Sequence, residues 1–396
     1  MKERVILHSD VNNFFASVEC ANSPELFDKP VAVTGNPEKR NGIILAKNEI
    51  AKKFGVKTGQ VIGEAKALCP GLVCLPPHYQ LYEEISGKLH QLYLEYTNFV
   101  EPLGLDECWL DVTDSLKYLK KTGVEIADEL RSRIKESFNF TVSVGVSFSK
   151  IFAKLGSDMQ KPNFTTCIPK DKFKEMTYPL PLDSIVGIGR RLEKKFASID
   201  VKTIGDFVSL EDSFLQNLMG ITGLRLKQDL LGERDDPVAD YYSLPPPKSI
   251  GNGTTTLKDI VSREEVKKVI YFLAEKISYR MIKHKVLAGS ISITLKNKDL
   301  KTYHTSKKIS PTNKIEELAK DALELADKIW KYNYPLRAIR VKGSSFTSAD
   351  VVQLSMFDKP KSEISQAVKT INDKYGKIEL ASDMSAFLNK SSHPQE

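Results

Sequence analysis

The chain has 396 residues, of which 41% are hydrophobic, and a formal net charge of +7 at pH 7. This length and composition suit two to four folded domains and exclude an intrinsically disordered chain. The apolar runs are far too short for a membrane span, and the N-terminus lacks the pattern of a signal peptide. We therefore expect a cytoplasmic protein with no membrane partner.

The first predicted element is a buried strand in the stretch VILHSDVNNFFASVE, which begins at Val5. The strand runs into a lone Asp10, and a helix start with two adjacent phenylalanines follows it. A segment of mixed character extends to about Pro76. Apolar residues at helical spacing then predict a helix from Tyr79 to Tyr96.

A β-hairpin is predicted next, in the stretch VEPLGLDECWLDV. Two short β-rich runs, 99–103 and 108–112, flank a turn region that contains Asp106 and Glu107. After the hairpin, apolar residues at helical spacing predict a further helix through Ile126, Leu130, Ile134 and Phe138.

The stretch TVSVGVSFS from Thr141 alternates valine with serine and glycine, which predicts a half-buried strand. The resulting order β, α, β, β, α, β is that of a ferredoxin-like sheet, with residues 11–76 inserted after the first strand. In that topology the first strand and the hairpin are neighbours in the middle of the sheet. We therefore expect Asp10 to lie close to Asp106 and Glu107.

The remainder of the chain changes character after Lys161. Short helices with glycine punctuation are predicted first, and then three consecutive prolines, 245–247, indicate an extended linker. A second β, α, β, β, α, β order follows. Its predicted elements are a strand at SIGNGTTT, a helix at 263–284, strands at 291–295 and 301–306, a helix at 315–330 and a strand at 336–342.

Positive charge is concentrated in the C-terminal part of the chain. Residues 246–345 contain 21 Lys and Arg against 10 Asp and Glu, whereas the rest of the chain contains 37 against 41. A basic segment attached to a mildly acidic body suggests a polyanion partner, although such an excess is also typical of a solvated surface.

The five cysteines form no CxxC pair, and no histidine pair accompanies them at zinc spacing. Their number is odd, and most lie in apolar surroundings. We therefore expect buried, reduced thiols at Cys20, Cys69, Cys74, Cys108 and Cys167.

Three carboxylates at two strand boundaries predict a metal site. Mg²⁺ prefers hard oxygen ligands, and two such ions roughly 3.5–4 Å apart stabilise the attacking and leaving oxygens of an in-line phosphoryl displacement. Asp10 would bridge both ions, aided by the Val11 carbonyl, Asp106 would be the second bridge, and Glu107 would lie nearer the attacking hydroxyl. Taken singly, each acid is equally typical of a helix cap or a solvated turn.

An ordered series of motifs from Met1 to Ser345 resembles the Y-family translesion DNA polymerases, in particular their bacterial DNA polymerase IV branch. The series comprises HSDVNNFFASVE, KKFGVKTG, EAKALCPGL, PLGLDECWLDVTDS, VSVGVSFSKIFAKLGSDMQKPN and GIGRRLEKKF. The resemblance implies an α+β multidomain, right-hand architecture. It would comprise a ferredoxin-like palm (1–10 and 77–165), small fingers (11–76), a helical thumb with a helix-hairpin-helix (166–233), a linker (234–247), a βαββαβ little finger (248–345) and a tail (346–396).

The resemblance also implies roles for single residues. The metal-binding carboxylates fall on Asp10, Asp106 and Glu107, and Phe15 falls on the steric gate that excludes a ribose 2′-hydroxyl. Phe14, its neighbour, would belong to the nucleotide site or to the core. Lys52 and Lys161 match positions that contact the incoming triphosphate, although a surface lysine is the ordinary interpretation of each alone.

The sequence departs from the family pattern around the nucleotide. A frequent further Asp is Asn12, a Tyr that normally helps to bind phosphate is Glu49, and a Thr is Ala46. The usual Arg is Lys52, which lacks the bidentate fork of a guanidinium. A common Ser is Gly104, which is a milder change. We expect altered nucleotide affinity or lesion preference from these changes.

The stretch VGIGRRLEKKF resembles a helix-hairpin-helix. Its glycine amides, at Gly187 and Gly189, would approach a DNA phosphate at a helix start, with Arg190 and Arg191 adjacent. Glycines in this pattern also occur in simple turns between helices.

A polar tail carries the isolated apolar cluster QLSMFD. It resembles the peptide by which bacterial polymerases dock on the sliding clamp, with Gln353 for hydrogen bonds and Leu354, Met356 and Phe357 for an apolar groove. Local packing against the body of the protein is the alternative.

Together these features predict a monomeric, error-prone, template-directed DNA polymerase. Its partners would be template-primer DNA, a deoxynucleoside triphosphate and the sliding clamp, and its cofactor would be two Mg²⁺ ions, with Mn²⁺ possible. One alternative is a catalytically weak protein that binds DNA and the clamp and recruits others. A second is a nucleotidyl cyclase, for which the thumb, the basic domain and the clamp peptide would have no purpose.

Overall fold

The structure is a computed structural model that describes residues 3–35, 42–234, 236–331 and 334–349. These residues form two compact units, which divide at residue 244. No helix in the described residues is both long enough and apolar enough to cross a membrane.

The first unit contains eight strands and twelve α-helices among its described residues. Short 3₁₀ turns occur at Pro24–Leu26, Leu182–Ser184 and Tyr241–Ser243. In chain order the elements are β1 (Ile6–Val11), α1 (Phe14–Asn22), β2 (Val31–Thr34), β3 (Ile44–Lys47), α2 (Glu49–Lys53), α3 (Ile62–Leu68), β4 (Val73–Leu75), α4 (Tyr79–Leu94), β5 (Val100–Leu103), β6 (Glu107–Asp111), α5 (Ser115–Leu119), α6 (Gly123–Phe138), β7 (Val142–Ser147), α7 (Lys150–Met159), β8 (Thr165–Ile168), α8 (Phe173–Thr177), α9 (Arg190–Ala197), α10 (Ile204–Val208), α11 (Asp212–Met219) and α12 (Ile221–Leu231).

A five-stranded sheet with the order β5-β6-β1-β7-β8 forms the centre of the first unit. Its first four strands have the predicted ferredoxin-like order, and β8 adds a fifth strand parallel to β7. The prediction that β1 lies beside the hairpin is therefore confirmed. The predicted insertion forms a separate three-stranded sheet, β3-β2-β4, with its own small core.

Strand β7 is buried on both faces, so the prediction of a half-buried strand is wrong. Helix α7 covers the face that carries serine and glycine, and it lies very close because Gly145 has no side chain. A Cβ atom at Gly145 would stand 1.9 Å from the Ala153 carbonyl oxygen. Gly156 on the helix faces the Gly145 backbone in turn. This pair of glycines brings α7 against the sheet.

The cysteine prediction is confirmed in part. All five cysteines are free thiols, and Cys20, Cys69 and Cys108 are buried. Cys74 is half-buried and Cys167 is exposed, because Cys167 lies on the edge strand β8.

Short helices follow β8, as predicted, and they pack around a cluster that includes Phe196, Phe207 and Leu215. The predicted linker is largely irregular, but its first part packs on the first unit. Val238 is buried there, and the Tyr241 amide donates to the Asn98 carbonyl at 2.9 Å.

The second unit has the predicted β, α, β, β, α, β order. Its antiparallel sheet has the strand order β11-β10-β12-β9, so the last strand lies between the first two. Apolar residues of both helices complete a core against this sheet. The elements are β9 (Ser249–Ile260), α13 (Arg263–Lys283), β10 (Val286–Asn297), β11 (Thr302–Thr312), α14 (Ile315–Ile329) and β12 (Leu336–Ser348).

We predict that Gly145→Ala lowers the free energy of unfolding by about 3 kcal/mol or more, because the new methyl group overlaps the α7 backbone. Urea denaturation would measure the change. The matched control is Gly87→Ala in α4, where a Cβ meets no atom within 4 Å, so the gain in helix propensity should stabilise the fold by about 0.5–1 kcal/mol. Equal effects at the two glycines would contradict the proposed close packing.

Candidate active site

The end of β1 brings the three predicted carboxylates together. Asp10 lies directly opposite Glu107 in the antiparallel pairing of β1 with β6. The next amide, that of Val11, donates to the Asp106 carbonyl oxygen at 3.0 Å. Two backbone connections therefore fix residues 10 and 11 against residues 106 and 107, although the two segments are almost a hundred residues apart in the chain.

A buried lysine that the sequence analysis missed lies among these acids. Lys154 of α7 is only 7% exposed. Its Nζ lies 3.1 Å from Asp10 Oδ2, 2.8 Å from Glu107 Oε2 and 3.2 Å from Asp158 Oδ2. The available signal was its position among the buried residues Phe152, Ala153 and Leu155, where an unpaired ammonium would be very unfavourable.

Lys161, which was predicted to bind the triphosphate, lies at the same site. Its Nζ is 2.9 Å from Asp10 Oδ2 and 2.8 Å from Asp158 Oδ1. The two lysines thus share Asp10 and Asp158 between them. Burial lowers the pKa of Lys161, but Asp10 and Asp158 outweigh burial and hold that pKa above its usual value.

The three carboxylates differ in their electrostatic surroundings. Burial raises the pKa of Asp106 to about 6, and the charges of Asp10 and Glu107 add to this effect. Burial acts in the same direction on Glu107, but His8 and Lys154 outweigh it and lower the pKa of Glu107 to about 2. Among the described residues, the ion pairs at this site involve Asp10 and Glu107 but not Asp106, which accounts for the different directions.

His8 supports Glu107 from inside the sheet. Its Nε2 lies 3.4 Å from Glu107 Oε2, and its Nδ1 forms a hydrogen bond of 2.8 Å with Ser157 Oγ. The ring is completely buried, and burial lowers the pKa of His8. His8 on β1 therefore links Glu107 of β6 to Ser157 of α7.

The residues present fit a hard divalent cation. The Lys154 ammonium lies between carboxylate oxygens of Asp10 and Glu107, so these oxygens already bind one cation. Carboxylate oxygens are also the ligands that Mg²⁺ prefers. In the described parts of the chain, no three His, Cys, Asp or Glu side chains are grouped so that they could hold a metal ion by themselves. Such incompleteness is typical of Mg²⁺ sites, which use one or two carboxylates and complete their shell with water and substrate phosphate.

Aromatic side chains line the start of α1. The Phe15 ring stacks on Tyr82, with centroids 4.4 Å apart and planes 13° apart, and it meets Tyr79 edge-on. The Tyr82 hydroxyl donates to the buried Glu19 carboxylate, which also contacts His78 at 2.9 Å. Phe14 is only 3% exposed, so its ring belongs to the core and leaves only its backbone for contact with a ligand.

The predicted cation on the insertion is already paired. Lys52 Nζ lies 3.4 Å from Glu49 Oε1, and the same oxygen accepts a hydrogen bond of 2.7 Å from Asn13 Nδ2. Lys52 is exposed and Glu49 is half-buried. Glu49, which stands where the family usually has Tyr, therefore binds Lys52, the residue that the resemblance assigns to phosphate binding.

The β-hairpin of β5 and β6 borders an open cleft of about 970 Å³. Its lining includes Glu107 and Lys154 and also Gly187 and Gly189. Both glycines have open space where a side chain would lie. Gly189 caps α9, and the first two residues of that helix, Arg190 and Arg191, are exposed.

One predicted site falls outside this description. The clamp-binding residues Gln353, Leu354, Met356 and Phe357 lie outside the described residues.

The chain is similar to known proteins over most of its length. Residues 9–158 match the impB/mucB/samB family, and residues 247–356 match the C-terminal domain of the same family. The DNA polymerase IV of Acetivibrio thermocellus is 41% identical over 94% of this chain and 95% of its own length. The DNA polymerase IV of Bacillus velezensis is 34% identical over 95% of this chain and 91% of its own length.

The fold has solved counterparts. A Y-family DNA polymerase chimera, Dbh-Dpo4(243-245)-Dbh, superposes with a TM-score of 0.80 at 24% sequence identity. The match covers 87% of this chain and 99% of the chimera.

The raised pKa of Asp106 predicts how metal-free stability depends on pH. Because this pKa rises from 3.8 to about 6 on folding, the folded protein holds the proton more tightly, and stability falls as pH rises through this window. Relative to Asp106→Asn, the wild type should lose up to about 2 kcal/mol between pH 4 and pH 7, since one unit corresponds to about 1.4 kcal/mol and part of the change falls below pH 4. Urea denaturation in EDTA would measure this difference.

The control for this comparison is Asp171→Asn, which changes an exposed carboxylate in a turn. Its pH dependence should follow that of the wild type. If Asp106→Asn also follows the wild type over the whole range, the charge cluster does not act on Asp106 as inferred.

Proposed function

Because the chain belongs to the impB/mucB/samB family, the Y family of DNA polymerases, we propose that Asp10, Asp106 and Glu107 form the catalytic centre of a template-directed polymerase. The chain is a DNA-directed DNA polymerase of the error-prone, translesion class. The observation that carries the proposed site is the pairing of Asp10 with Glu107 across β1 and β6.

The carboxylates and the Val11 carbonyl would hold the metal. Two Mg²⁺ ions, or Mn²⁺ in their place, would lower the pKa of the primer 3′-hydroxyl and stabilise the charge of the leaving pyrophosphate. The carboxylates themselves place negative charge beside the attacking oxygen. Asp106, whose pKa is raised to about 6, is mostly deprotonated at pH 7 and therefore able to bind a cation.

The lysines and aromatic residues orient the nucleotide. Lys161 and Lys52 neutralise phosphate oxygens when they exchange their carboxylate partners for the triphosphate. Phe15, held flat against Tyr82, blocks the space that a ribose 2′-hydroxyl would need. Overlap in a packed site costs about 1–3 kcal/mol, which corresponds to roughly 10- to 100-fold discrimination in favour of deoxynucleotides.

The remaining parts provide the DNA-binding surface of a right-hand polymerase. We assign the palm to 1–10 and 77–165, the fingers to 11–76 and the thumb to 166–233, with a helix-hairpin-helix at Gly187 and Gly189 that binds phosphate through backbone amides. We assign the primer strand to the cleft that is lined by Gly187 and Gly189 of the helix-hairpin-helix and by the carboxylate Glu107.

The linker is then 234–247 and the little finger 248–345. On β12 the exposed side chains of Arg340 and Lys342 lie opposite Gly253 and Gly251 of β9. Because the two glycines have no side chains, Arg340 and Lys342 pack directly across them, and we assign their exposed charges to contacts with phosphate. Such contacts bind DNA without sequence preference.

The chain is proposed to act as a monomer and to bind the sliding clamp through the QLSMFD peptide of the tail, 346–396. The apolar side chains Leu354, Met356 and Phe357 would fill a groove of the clamp, and Gln353 would supply hydrogen bonds. This part of the proposal depends on the sequence alone.

Extension of a labelled primer tests the catalytic centre. Wild-type protein with Mg²⁺ and deoxynucleotides should extend primers on undamaged and abasic templates. Asp106→Ala should lower the rate by about 10³-fold or more, because several kcal/mol of transition-state charge stabilisation are lost. Asp171→Ala, which removes an exposed carboxylate in a turn, is the matched control and should leave the rate unchanged.

If neither wild type nor Asp106→Ala extends a primer while both bind template-primer, the polymerase site is wrong and the chain acts as a recruiting protein. The pairing of Lys52 with Glu49 is the observation that favours this second function, because it weakens the nucleotide site.

Glu49 should hinder triphosphate binding by competing for Lys52. We predict that Glu49→Gln, which keeps the oxygen that accepts from Asn13, lowers the KM for deoxynucleotides by about fivefold, or ~1 kcal/mol of relieved repulsion. Steady-state single-nucleotide incorporation would measure KM and kcat separately. Glu64→Gln, an exposed change of the same kind in α3, should leave KM unchanged, and an equal fall in both variants would indicate a general charge effect.

A further inference from the structure

A short loop, 160–164, joins α7 to β8 and carries the proposed triphosphate ligand Lys161. Asn163 in this loop has a φ of +57°, in the left-handed region that L-residues other than asparagine and aspartate rarely adopt. A loop in this conformation keeps its position only if the surrounding structure fixes it. The contacts made by Asn163 therefore decide where Lys161 lies.

Asn12 fixes the loop from the side of the sheet. The Asn163 amide donates to Asn12 Oδ1 at 2.9 Å, and Thr141 Oγ1 donates to the same oxygen at 2.9 Å. On the other side of the amide group, Asn12 Nδ2 donates to Ser143 Oγ at 3.0 Å. Asn12 is 5% exposed, so these partners determine its orientation. A single buried side chain thus connects β1, β7 and the loop.

Arg131 of α6 fixes the loop from the opposite side. Its guanidinium donates to the Asn163 carbonyl oxygen, and its Nε and Nη2 donate to Asn163 Oδ1 at 3.3 and 3.2 Å. Asp128 and Thr165 hold the guanidinium in turn, with Nη1 contacts of 2.9 and 3.2 Å. The amide, the carbonyl and the side chain of Asn163 are therefore all bound.

We propose that Asn12 and Arg131 are positioning residues, which clamp Asn163 and so place Lys161 for the incoming triphosphate. Asn12 follows Asp10 by two residues, so its bond to the loop ties the phosphate-binding lysine to the strand that carries the metal ligand. Displacement of Lys161 should chiefly weaken the binding of the triphosphate in the ground state. This inference rests on the proposed polymerase function.

A double-mutant cycle tests the clamp. Asn12→Ala should raise the KM for deoxynucleotides by about tenfold and change kcat by less than about threefold, because it displaces a ground-state ligand of the triphosphate. In a Lys161→Ala background the same change should have almost no further effect, since Asn12 acts through Lys161. In a Lys52→Ala background its tenfold effect should persist.

Two controls separate positioning from loss of folding. Ser143→Ala removes the third partner of Asn12 but keeps the bond to Asn163, so KM should stay within about twofold of the wild type. Each variant should remain folded at the assay temperature and keep the template-primer affinity of the wild type, although the loss of buried hydrogen bonds lowers the melting temperature of Asn12→Ala. If Asn12→Ala does not fold, Arg131→Ala takes its place in the cycle and should give the same non-additive result.

The inference would be overturned if the increases in KM caused by Asn12→Ala and Lys161→Ala multiplied in the double variant. Such multiplication would mean that the two residues act independently, because independent sites add in free energy. An unchanged KM in Asn12→Ala would overturn it as well. In both cases wild-type primer extension still supports the polymerase, so the two proposals fail separately.

Discussion

The pairing of β1 with β6 is the constraint on which the site depends. It sets Asp10 opposite Glu107 and leaves Asp106 at the turn beside them, so like charges are gathered at one edge of a buried sheet. Such an arrangement is unfavourable without cations, because partly buried carboxylates repel one another and have lost water. The surrounding elements supply the cations, and much of the local structure serves to bring them close.

Helix α7 is the main source of this compensation. It delivers Lys154 to the carboxylates, and Asp158 one turn later holds both Lys154 and Lys161. The helix can lie so close only because Gly145 on β7 presents no side chain to it. The absence of a side chain at Gly145 therefore determines whether Lys154 reaches Asp10 and Glu107.

The sequence predicted the elements that follow from periodicity and topology. The ferredoxin-like order alone was enough to place Asp10 near Asp106 and Glu107, because strand neighbours follow from the order of elements. The burial of both faces of β7 was missed, since serine and glycine are typical of a solvated face unless a helix covers them. Lys154 was missed because Asp10 and Glu107 come from other elements, and its apolar neighbours and Asp158 one turn later were the only local signals.

The charges that make the fold less stable are those that give it a function. At pH 7 the two lysines offset only part of the negative charge of Asp10, Asp106, Glu107 and Asp158. Burial raises the pKa of Asp106, and the charges of Asp10 and Glu107 raise it further. A site that were neutral and fully paired would be more stable but would have no affinity for a further cation. Because divalent metal and a triphosphate together bring charges of both signs, the lysines can exchange carboxylate for phosphate while the acids exchange ammonium for metal. The local cost in stability is therefore the source of the binding energy, in keeping with the general opposition between stability and activity at catalytic sites.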